Sequence, residues 1–253
     1  MSYLDQDGTK IYYEDHGAGD TAIILSHGYS ATSAMWKGQV EAFEDDYRII
    51  TWDMRGHGLS DSPDDPGLYS EAHTVADMAA ILDECGVGQA IVGGLSLGGY
   101  MSLAFNLVYG PRVTALLLFD TGPGYKKDAA RDGWNEMAGE RAREFEEKGL
   151  DALGASNEVR ISSHRSAQGL AHAARGMLAQ VDSRVIMSLP DIQVPTLVLV
   201  GEQDHMFIIP TDYMTAKIPG AEKVVIPDAG HASNIDQPAL FNQAVEQFLN
   251  PIL

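Results

Sequence analysis

The chain has 253 residues, of which 45% are hydrophobic and 21% charged, and its formal net charge is −19. This composition is typical of a globular protein with a full hydrophobic core and excludes a disordered or fibrous chain. The acidic excess disfavours nucleic acid and anionic membrane surfaces as partners, because binding to phosphates relies on clustered Lys and Arg. With no apolar run near the roughly 20 residues of a membrane span and no secretory signal pattern, we expect a cytoplasmic protein.

Cysteine and acidic patterns disfavour bound metals. The lone Cys85 excludes an internal disulfide and offers no cysteine cluster for zinc, as is usual for a reducing compartment. The segment 5–8, DQDG, has the start of a calcium loop, but the acidic residues that such a loop needs further along are missing. We therefore expect no metal site.

Six short runs rich in Ile, Val and Leu predict buried strands. They cover residues 22–26, 48–52, 90–93, 115–119, 196–200 and 223–226. Helical patterns separate several of these strands. One example is the segment from Val75 to Leu82, in which apolar residues recur at helical spacing; Ser70 or Thr74 would cap the start of this helix, and Gly86 would end it. This alternation predicts an α/β fold with a parallel sheet covered by helices on both faces. The alternating pattern around residues 10–13 predicts one or two antiparallel edge strands.

The alternation of strand and helix patterns stops between residues 119 and 190. This part of the chain instead contains two stretches of helix-forming composition, 131–150 and 170–181. Long connections in compact domains are usually lids or subdomains, so we predict a helical cap at 121–189, with 1–120 and 190–253 forming the core. Residues 121–190 hold ten basic and ten acidic residues, leaving seven and twenty-six for the remainder. A solvated helix face would also explain the charge shift, and ordinary sheet-covering helices are the alternative to a cap.

A candidate nucleophile lies in the segment 94–99, GLSLGG, which directly follows the third predicted strand. A serine at a sharp strand-to-helix turn needs small neighbours, and glycines two residues before and after it let the strand and the helix approach each other. Ser96 has such neighbours. A dinucleotide fingerprint would need glycine at Leu95, and a phosphate-binding loop would end in Gly-Lys-Ser or Gly-Lys-Thr, so the sequence excludes both.

A serine hydroxyl needs a base within hydrogen-bond reach, normally a histidine that a carboxylate holds in the right tautomer. His231 is the candidate base, because it follows the last predicted strand, where loops at the carboxyl edge of a parallel sheet carry catalytic groups. Helix capping or packing is the alternative for this histidine. Asp204 follows the preceding strand and gives the chain order Ser, Asp, His. Glu202 and Asp120 compete for the acidic role.

Two backbone N–H groups are candidates for holding an oxyanion. The helix that begins after Ser96 starts with unpaired N–H groups, so Leu97 is the first candidate donor. The second is Tyr29, in the loop SHGY that follows the first buried strand. In the same region, His27 precedes the glycine that shapes the turn, and we expect it to fix the loop rather than to act as a base. His57 is expected to stabilise its own turn.

Taken together, the SHGY loop, the segment 53–58, the Ser96 turn, Asp204 and His231 resemble the α/β-hydrolase superfamily, and the resemblance spans nearly the whole chain. It implies a mostly parallel eight-stranded sheet with helices on both faces and a helical cap inserted after the sixth strand. Within the superfamily the chain is similar to capped carboxylesterases, 3-oxoadipate enol-lactonases and ring-cleavage carbon–carbon hydrolases. The last group usually has Asn where Leu95 stands, so the resemblance favours esters and lactones.

We therefore expect a serine hydrolase that cleaves a small-molecule ester or lactone through an acyl-enzyme on Ser96 and requires no cofactor. Carbon–carbon hydrolysis or perhydrolysis on the same three residues is one alternative. Another is a receptor that keeps the fold but only holds a small molecule, since a fold does not determine a function. The sequence leaves the oligomeric state open.

The predicted cap should decide which substrate fits. Some of its large apolar side chains are candidates for lining a pocket, although helix packing explains such residues as well. Some of its arginines are candidates for meeting a substrate carboxylate, although solvated surface arginines are more common. The apolar candidates are Trp134, Met137, Met177 and Met187, and the arginine candidates are Arg131, Arg160 and Arg175.

Overall fold

A single sheet of eight strands passes through the computed structural model, which describes residues 2–250. The strands are β1 (Ser2–Gln6), β2 (Thr9–His16), β3 (Ala22–Ser26), β4 (Arg48–Trp52), β5 (Ala90–Leu95), β6 (Val113–Phe119), β7 (Thr196–Gly201) and β8 (Glu222–Ile226). Their order across the sheet is β1-β2-β4-β3-β5-β6-β7-β8; the pairs β1–β2 and β2–β4 are antiparallel and the other pairs parallel. The six predicted strands, the antiparallel edge and the mostly parallel sheet are confirmed. The predicted burial holds for five of the strands, whereas β8 at the edge of the sheet is largely exposed and buries only Ile226.

Helices cover both faces of this sheet. Alternate side chains of β6 point to opposite faces, so Leu116 and Leu118 join one apolar cluster while Leu117 and Phe119 join another. Within residues 2–250 no helix combines the length and the apolar character that crossing a membrane requires. The α-helices are α1 (Lys37–Phe43), α2 (Glu71–Glu84), α3 (Leu97–Tyr109), α4 (Asp128–Lys148), α5 (Asn157–Arg160), α6 (Ala167–Ala173), α7 (Arg184–Ser188), α8 (Ile208–Lys217), α9 (Ser233–Asp236) and α10 (Pro238–Leu249).

The predicted start of α2 is confirmed, with one of the two candidate caps selected. The Ser70 hydroxyl accepts a hydrogen bond of 3.1 Å from the His73 N–H, which satisfies one of the unpaired donors of the first turn. Thr74 lies inside the helix instead. Gly86 follows the helix with a φ of 67°, a left-handed conformation that glycine adopts without strain.

Residues 120–195, here named the helical segment, join β6 to β7 and contain α4 to α7. The predicted helix at 131–150 is present as α4. The second predicted helix ends sooner, because α6 stops at Ala173 and a π-helical turn, Ala174–Leu178, follows it. In that turn Gly176 packs so closely on the backbone of Tyr69 that a Cβ would overlap the Tyr69 carbonyl oxygen. The helical segment therefore contacts the part of the chain that follows β4.

Candidate active site

Ser96 lies in the turn between β5 and α3 with a strained backbone. Its φ is 55° and its ψ is −115°, a combination that residues other than glycine rarely adopt. Two hydrogen bonds hold it there: the Ser96 N–H donates to the Phe119 carbonyl over 3.0 Å, and the Thr121 hydroxyl donates to the Ser96 carbonyl over 2.6 Å. Ser96 is partly exposed although both flanking residues are buried.

Glycines around the serine permit the close approach of β3, β5 and α3. A Cβ on Gly98 would overlap the carbonyl oxygen of Ser26, and a Cβ on Gly94 would overlap the backbone of Gly98. A Cβ on Gly99 would overlap the side chain of Thr121. The expectation that small neighbours bring strand and helix together at this turn is therefore confirmed.

His231 and Asp204, in the loops after β8 and β7, form a direct pair. His231 Nδ1 lies 2.7 Å from Asp204 Oδ2. The Asp204 side chain is 6% exposed, whereas that of His231 is 33% exposed. The ring of Phe207 stacks on the imidazole, with centroids 5.2 Å apart and planes inclined by 22°. A carboxylate on Nδ1 fixes the tautomer in which Nε2 is able to accept a proton.

Negative charges around His231 favour its protonated form. Burial lowers the pKa of His231, but the hydrogen bond and the charge of Asp204 outweigh burial and raise the pKa above its ordinary value. Asp120 and Glu158 add to this increase through their charges. An imidazolium that forms when His231 takes a proton is therefore stabilised.

The two competing acids have other partners. Asp120 is fully buried, and its carboxylate accepts hydrogen bonds from the Gly201 N–H at 2.7 Å and from the Ser233 hydroxyl. Burial raises the pKa of Asp120 to about 7. Glu202 is exposed and accepts a backbone N–H at 3.3 Å. The imidazole therefore has Asp204 as its partner.

The N–H groups of Tyr29 and Leu97 are available as donors near Ser96. Among the described residues, neither N–H donates a hydrogen bond to another protein group. Tyr29 lines a cavity that also contains Ser96, and Leu97 is the first residue of α3. The Tyr29 phenol donates a hydrogen bond of 2.8 Å to the Leu170 carbonyl in the helical segment. Two unpaired donors near one serine are what an oxyanion needs.

His27 fixes the loop that carries Tyr29. Its Nδ1 donates to the Gly28 carbonyl over 2.7 Å, and its Nε2 accepts the Met54 N–H over 2.9 Å. Burial lowers its pKa, which favours the neutral ring that this pairing requires. The loop-fixing role predicted for His27 is confirmed. His57 donates from Nδ1 to the Arg55 carbonyl over 3.1 Å, within its own turn as predicted.

Two cavities meet at Ser96 and share four wall residues: Ser96, Trp134, Leu178 and Phe207. Cavity A has a volume of about 200 Å³ and is largely apolar; its other walls include Leu97, Tyr100, Tyr125, Ile186, Pro210 and Tyr213. Cavity B has a volume of about 330 Å³, and its other main wall residues are Gly28, Tyr29, Glu158, Asp204, Met206 and His231. No Lys or Arg from the described part of the chain lines either cavity.

Only one of the four large apolar residues singled out in the predicted cap reaches these cavities. Trp134 lines both, and its indole N–H donates to the Leu178 carbonyl over 2.8 Å. Met177 is buried in the main core, while Met137 and Met187 are 40% and 55% exposed. The arginines considered as contacts for a carboxylate all lie outside the two cavity walls: Arg131, Arg160 and Arg175.

Glu158, Gln180 and Phe207 line the cavities without having been predicted from the sequence. Glu158 and Gln180 belong to the helical segment, whose fit to the sheet no short-range pattern specifies. The side chain of Asn135 accepts the Gln180 N–H at 2.7 Å and donates to the Gln180 carbonyl at 2.8 Å. Phe207 was within reach of sequence reasoning, because it lies three residues after Asp204 in the same loop.

A mostly parallel sheet in this strand order, with a serine turn after β5 and a His–Asp pair after β8 and β7, is the architecture of an α/β-hydrolase. Comparison with family models agrees, since the alpha/beta hydrolase family is matched over residues 23–244. The chain belongs to this family.

Individual relatives match along almost the whole chain. The 3-oxoadipate enol-lactonase 1 of Acinetobacter baylyi is 32% identical over 251 residues, 91% of this chain and 89% of that protein. A putative 2-succinyl-6-hydroxy-2,4-cyclohexadiene-1-carboxylate synthase of Bacillus subtilis is 29% identical over 266 residues, 97% of each chain. Among solved structures, a thermophilic esterase from Thermogutta terrifontis has a TM-score of 0.81 and 31% identity, covering 96% of this chain and 94% of its own.

Proposed function

We propose that the protein hydrolyses a small carboxylic ester or lactone without a negative charge, with Ser96 as nucleophile, His231 as base and Asp204 as the group that orients the base. The observation that carries this proposal is the His231–Asp204 pair, which faces the same cavity as the strained serine. An enol-lactonase and an esterase among the similar proteins support ester or lactone cleavage.

The proposed reaction begins when Ser96 Oγ attacks the substrate carbonyl carbon and His231 Nε2 takes the hydroxyl proton. The N–H groups of Tyr29 and Leu97 hold the negative oxygen of the tetrahedral intermediate. His231 then returns its proton to the leaving oxygen, and the acyl group stays on Ser96. Water, deprotonated by the same imidazole, releases the acid and restores the serine. Among the described residues no hydrogen bond joins Ser96 to His231 in the unliganded site, and such bonds often tighten only with substrate bound.

The cavity walls disfavour a negatively charged substrate. A substrate carboxylate would lose its hydration on entering and would need a cation in return. Neither cavity offers a Lys or Arg from the described chain, and cavity B already contains the carboxylates of Glu158 and Asp204. We therefore infer that the substrate of this protein differs in charge from 3-oxoadipate enol-lactone, which the name of one relative specifies.

We further propose that residues 121–189 act as a cap over the active site, with 1–120 and 190–253 as the core. Wall residues on both sides support this division, since Trp134, Leu178 and Glu158 come from the helical segment while Phe207 and His231 follow the core strands. Exclusion of water by such a cover strengthens the electrostatic interactions inside the site.

The test compares the p-nitrophenyl ester of butyric acid with the mono-p-nitrophenyl ester of glutaric acid, which adds a carboxylate. We expect the neutral ester to be cleaved with the higher kcat/KM and the Ser96→Ala variant to lose turnover by roughly a millionfold. Ser2→Ala, on the edge strand, is the matched control and should keep full activity. Equal activity of Ser96→Ala and wild type would refute the nucleophile, and preference for the glutarate would refute a substrate without negative charge.

Product analysis separates the remaining alternatives. Turnover of neither ester, with a carbon–carbon substrate or peroxide consumed instead, would favour a carbon–carbon hydrolase or a perhydrolase on the same three residues. Binding of small molecules without any turnover would favour a receptor.

A further inference from the structure

Glu158 is a buried carboxylate for which the described chain provides no cation. The residue is 6% exposed, and its Oε1 accepts a hydrogen bond of 2.6 Å from the Ser156 hydroxyl. Its Oε2 is buried and has no hydrogen-bond partner among residues 2–250, and no ion pair within that range includes Glu158. Buried polar atoms in native proteins are nearly always paired, so this carboxylate oxygen is available to accept a hydrogen bond from a molecule in the cavity beside it.

The surroundings of Glu158 fit an organic cation. It lines cavity B together with the aromatic rings of Tyr29, Trp134 and Phe207 and the thioether of Met206. Aromatic faces attract an ammonium through their electron-rich surfaces, and a carboxylate accepts a hydrogen bond from its N–H. No Lys or Arg from the described residues lines the cavity to compete for the carboxylate.

The position of His231 identifies which part of an ester would occupy cavity B. In the proposed reaction the leaving oxygen must reach His231 Nε2, because that nitrogen returns the proton. His231 lines cavity B and not cavity A. The alcohol part therefore extends into cavity B, while the apolar walls of cavity A, such as Tyr100 and Ile186, suit an acyl chain.

Hydrogen bonds tie the segment that carries Glu158 to the histidine loop. The Asn157 side chain donates to Asp236 Oδ1 over 2.6 Å, and Asp236 Oδ2 accepts the Gly230 N–H over 2.8 Å. Gly230 directly precedes His231 in the chain. Glu158 is thus held at a defined place relative to the base, as a recognition residue should be.

We propose that Glu158 and the aromatic walls of cavity B form a subsite for a protonated amine on the alcohol part of the substrate, so that the preferred substrates are esters of amino alcohols. This inference rests on the function proposed above and adds the chemical class of the leaving group. Glu158 touches the substrate and not the reacting atoms, so it determines specificity.

The test uses two butyrate esters of the same shape, dimethylaminoethyl butyrate and isopentyl butyrate, at neutral pH. They differ in a protonated nitrogen that replaces a CH group. We expect the ratio of their kcat/KM values, after division by their rates with hydroxide, to favour the amine at least about tenfold in wild type. Glu158→Gln should bring the ratio close to one, and the lost charge near His231 should change the rates of both esters alike. Glu136→Gln, an exposed glutamate on α4, should leave the ratio unchanged.

A role of Glu158 limited to its electrostatic effect on His231 would change both rates alike and keep the ratio, which would overturn the subsite. Binding of both esters to Ser96→Ala, followed by calorimetry or by tryptophan fluorescence, to which the cavity residue Trp134 contributes, gives a measurement that needs no turnover. Tighter binding of the amine that disappears in the double variant Ser96→Ala, Glu158→Gln supports the subsite even if the proposed hydrolysis fails. Equal affinities for the two esters overturn it even if both are hydrolysed.

Discussion

The phenol of Tyr29 donates a hydrogen bond of 2.8 Å to the carbonyl of Leu170, and this bond joins the loop after β3 to the helical segment. The ring of Tyr29 also packs edge-on against Phe145 of α4, with centroids 6.3 Å apart. The residue whose N–H we propose as an oxyanion donor is therefore held by contacts on the other side of the cavity. A change in the phenol should affect both stability and activity.

Tyr29→Phe keeps the backbone N–H and the ring but removes the bond to Leu170. We expect a loss of about 1 kcal/mol in the free energy of unfolding and a fall in Tm of about 2–4 °C. Because the N–H of the loop becomes less well positioned, kcat for p-nitrophenyl butyrate should fall several-fold. Tyr3→Phe, at an exposed edge position, is the control. If both variants behave alike in thermal unfolding and in turnover, the bond between the loop and the helical segment has no functional importance.

Gly98→Ala tests the packing of the serine turn. The added methyl group would overlap the Ser26 carbonyl oxygen, and backbone atoms on β3 have little freedom to move away. We expect a loss of about 1–3 kcal/mol in stability, measured by urea unfolding, and a larger relative loss of kcat because the Leu97 N–H shifts.

The matched control for that change is Gly133→Ala. Gly133 lies on the exposed side of α4, and a Cβ there meets no atom within 4 Å. Alanine should stabilise the helix by about 0.5–1 kcal/mol and leave turnover unchanged. Similar effects of both substitutions would mean that Gly98 is not required for the close approach of α3 to β3.

The sheet and the serine turn could be predicted because each depends on neighbours in sequence: apolar runs for the strands, and the spacing of Gly94, Ser96 and Gly98 for the turn. The pairing of His231 with Asp204 followed from chain order and from the shared sheet edge. Glu158 could not be predicted, because its place beside the base depends on how the helical segment packs across the sheet edge. That packing rests on contacts far apart in sequence, which periodicity does not report.

The pH dependence of activity should reflect His231. The base must be neutral to take a proton, and its pKa is raised above 6.5 because the hydrogen bond and charge of Asp204 outweigh the opposing effect of burial. We therefore expect kcat/KM to rise with pH and to level off only above that raised pKa. Asp204→Asn should lower kcat by roughly ten-thousandfold and move the inflection to lower pH.

Glu202→Gln is the control for that substitution, because Glu202 lies in the same loop, is exposed and accepts only a weak backbone hydrogen bond of 3.3 Å. Its pH profile and kcat should match those of wild type when hydrolysis is followed between about pH 5 and about pH 9. A larger loss of kcat in Glu202→Gln than in Asp204→Asn would mean that Glu202, and not Asp204, orients His231.

Asp120 should make stability fall as pH rises. Burial raises its pKa to about 7, although the Ser233 hydroxyl and the Gly201 N–H oppose that increase. The unfolded chain releases this proton near its ordinary pKa of about 3.9, so between the two values the folded state binds more protons than the unfolded state. Stability contributed by this group is therefore full below about pH 4 and declines up to about pH 7, because the slope follows the difference in bound protons.

Asparagine at this position imitates the protonated carboxyl, since its oxygen can accept the Gly201 N–H and its amide can donate to the Ser233 hydroxyl. Asp120→Asn should therefore unfold at nearly the wild-type temperature near pH 4 and at a higher temperature at pH 7 and above. At the higher pH its free energy of unfolding should exceed that of wild type by an amount on the order of a few kcal/mol. Thermal unfolding of both proteins across this range measures the difference. A difference that stays constant with pH would mean that the Asp120 carboxyl has the same pKa in the folded and unfolded chains, and hence that its burial does not oppose ionisation.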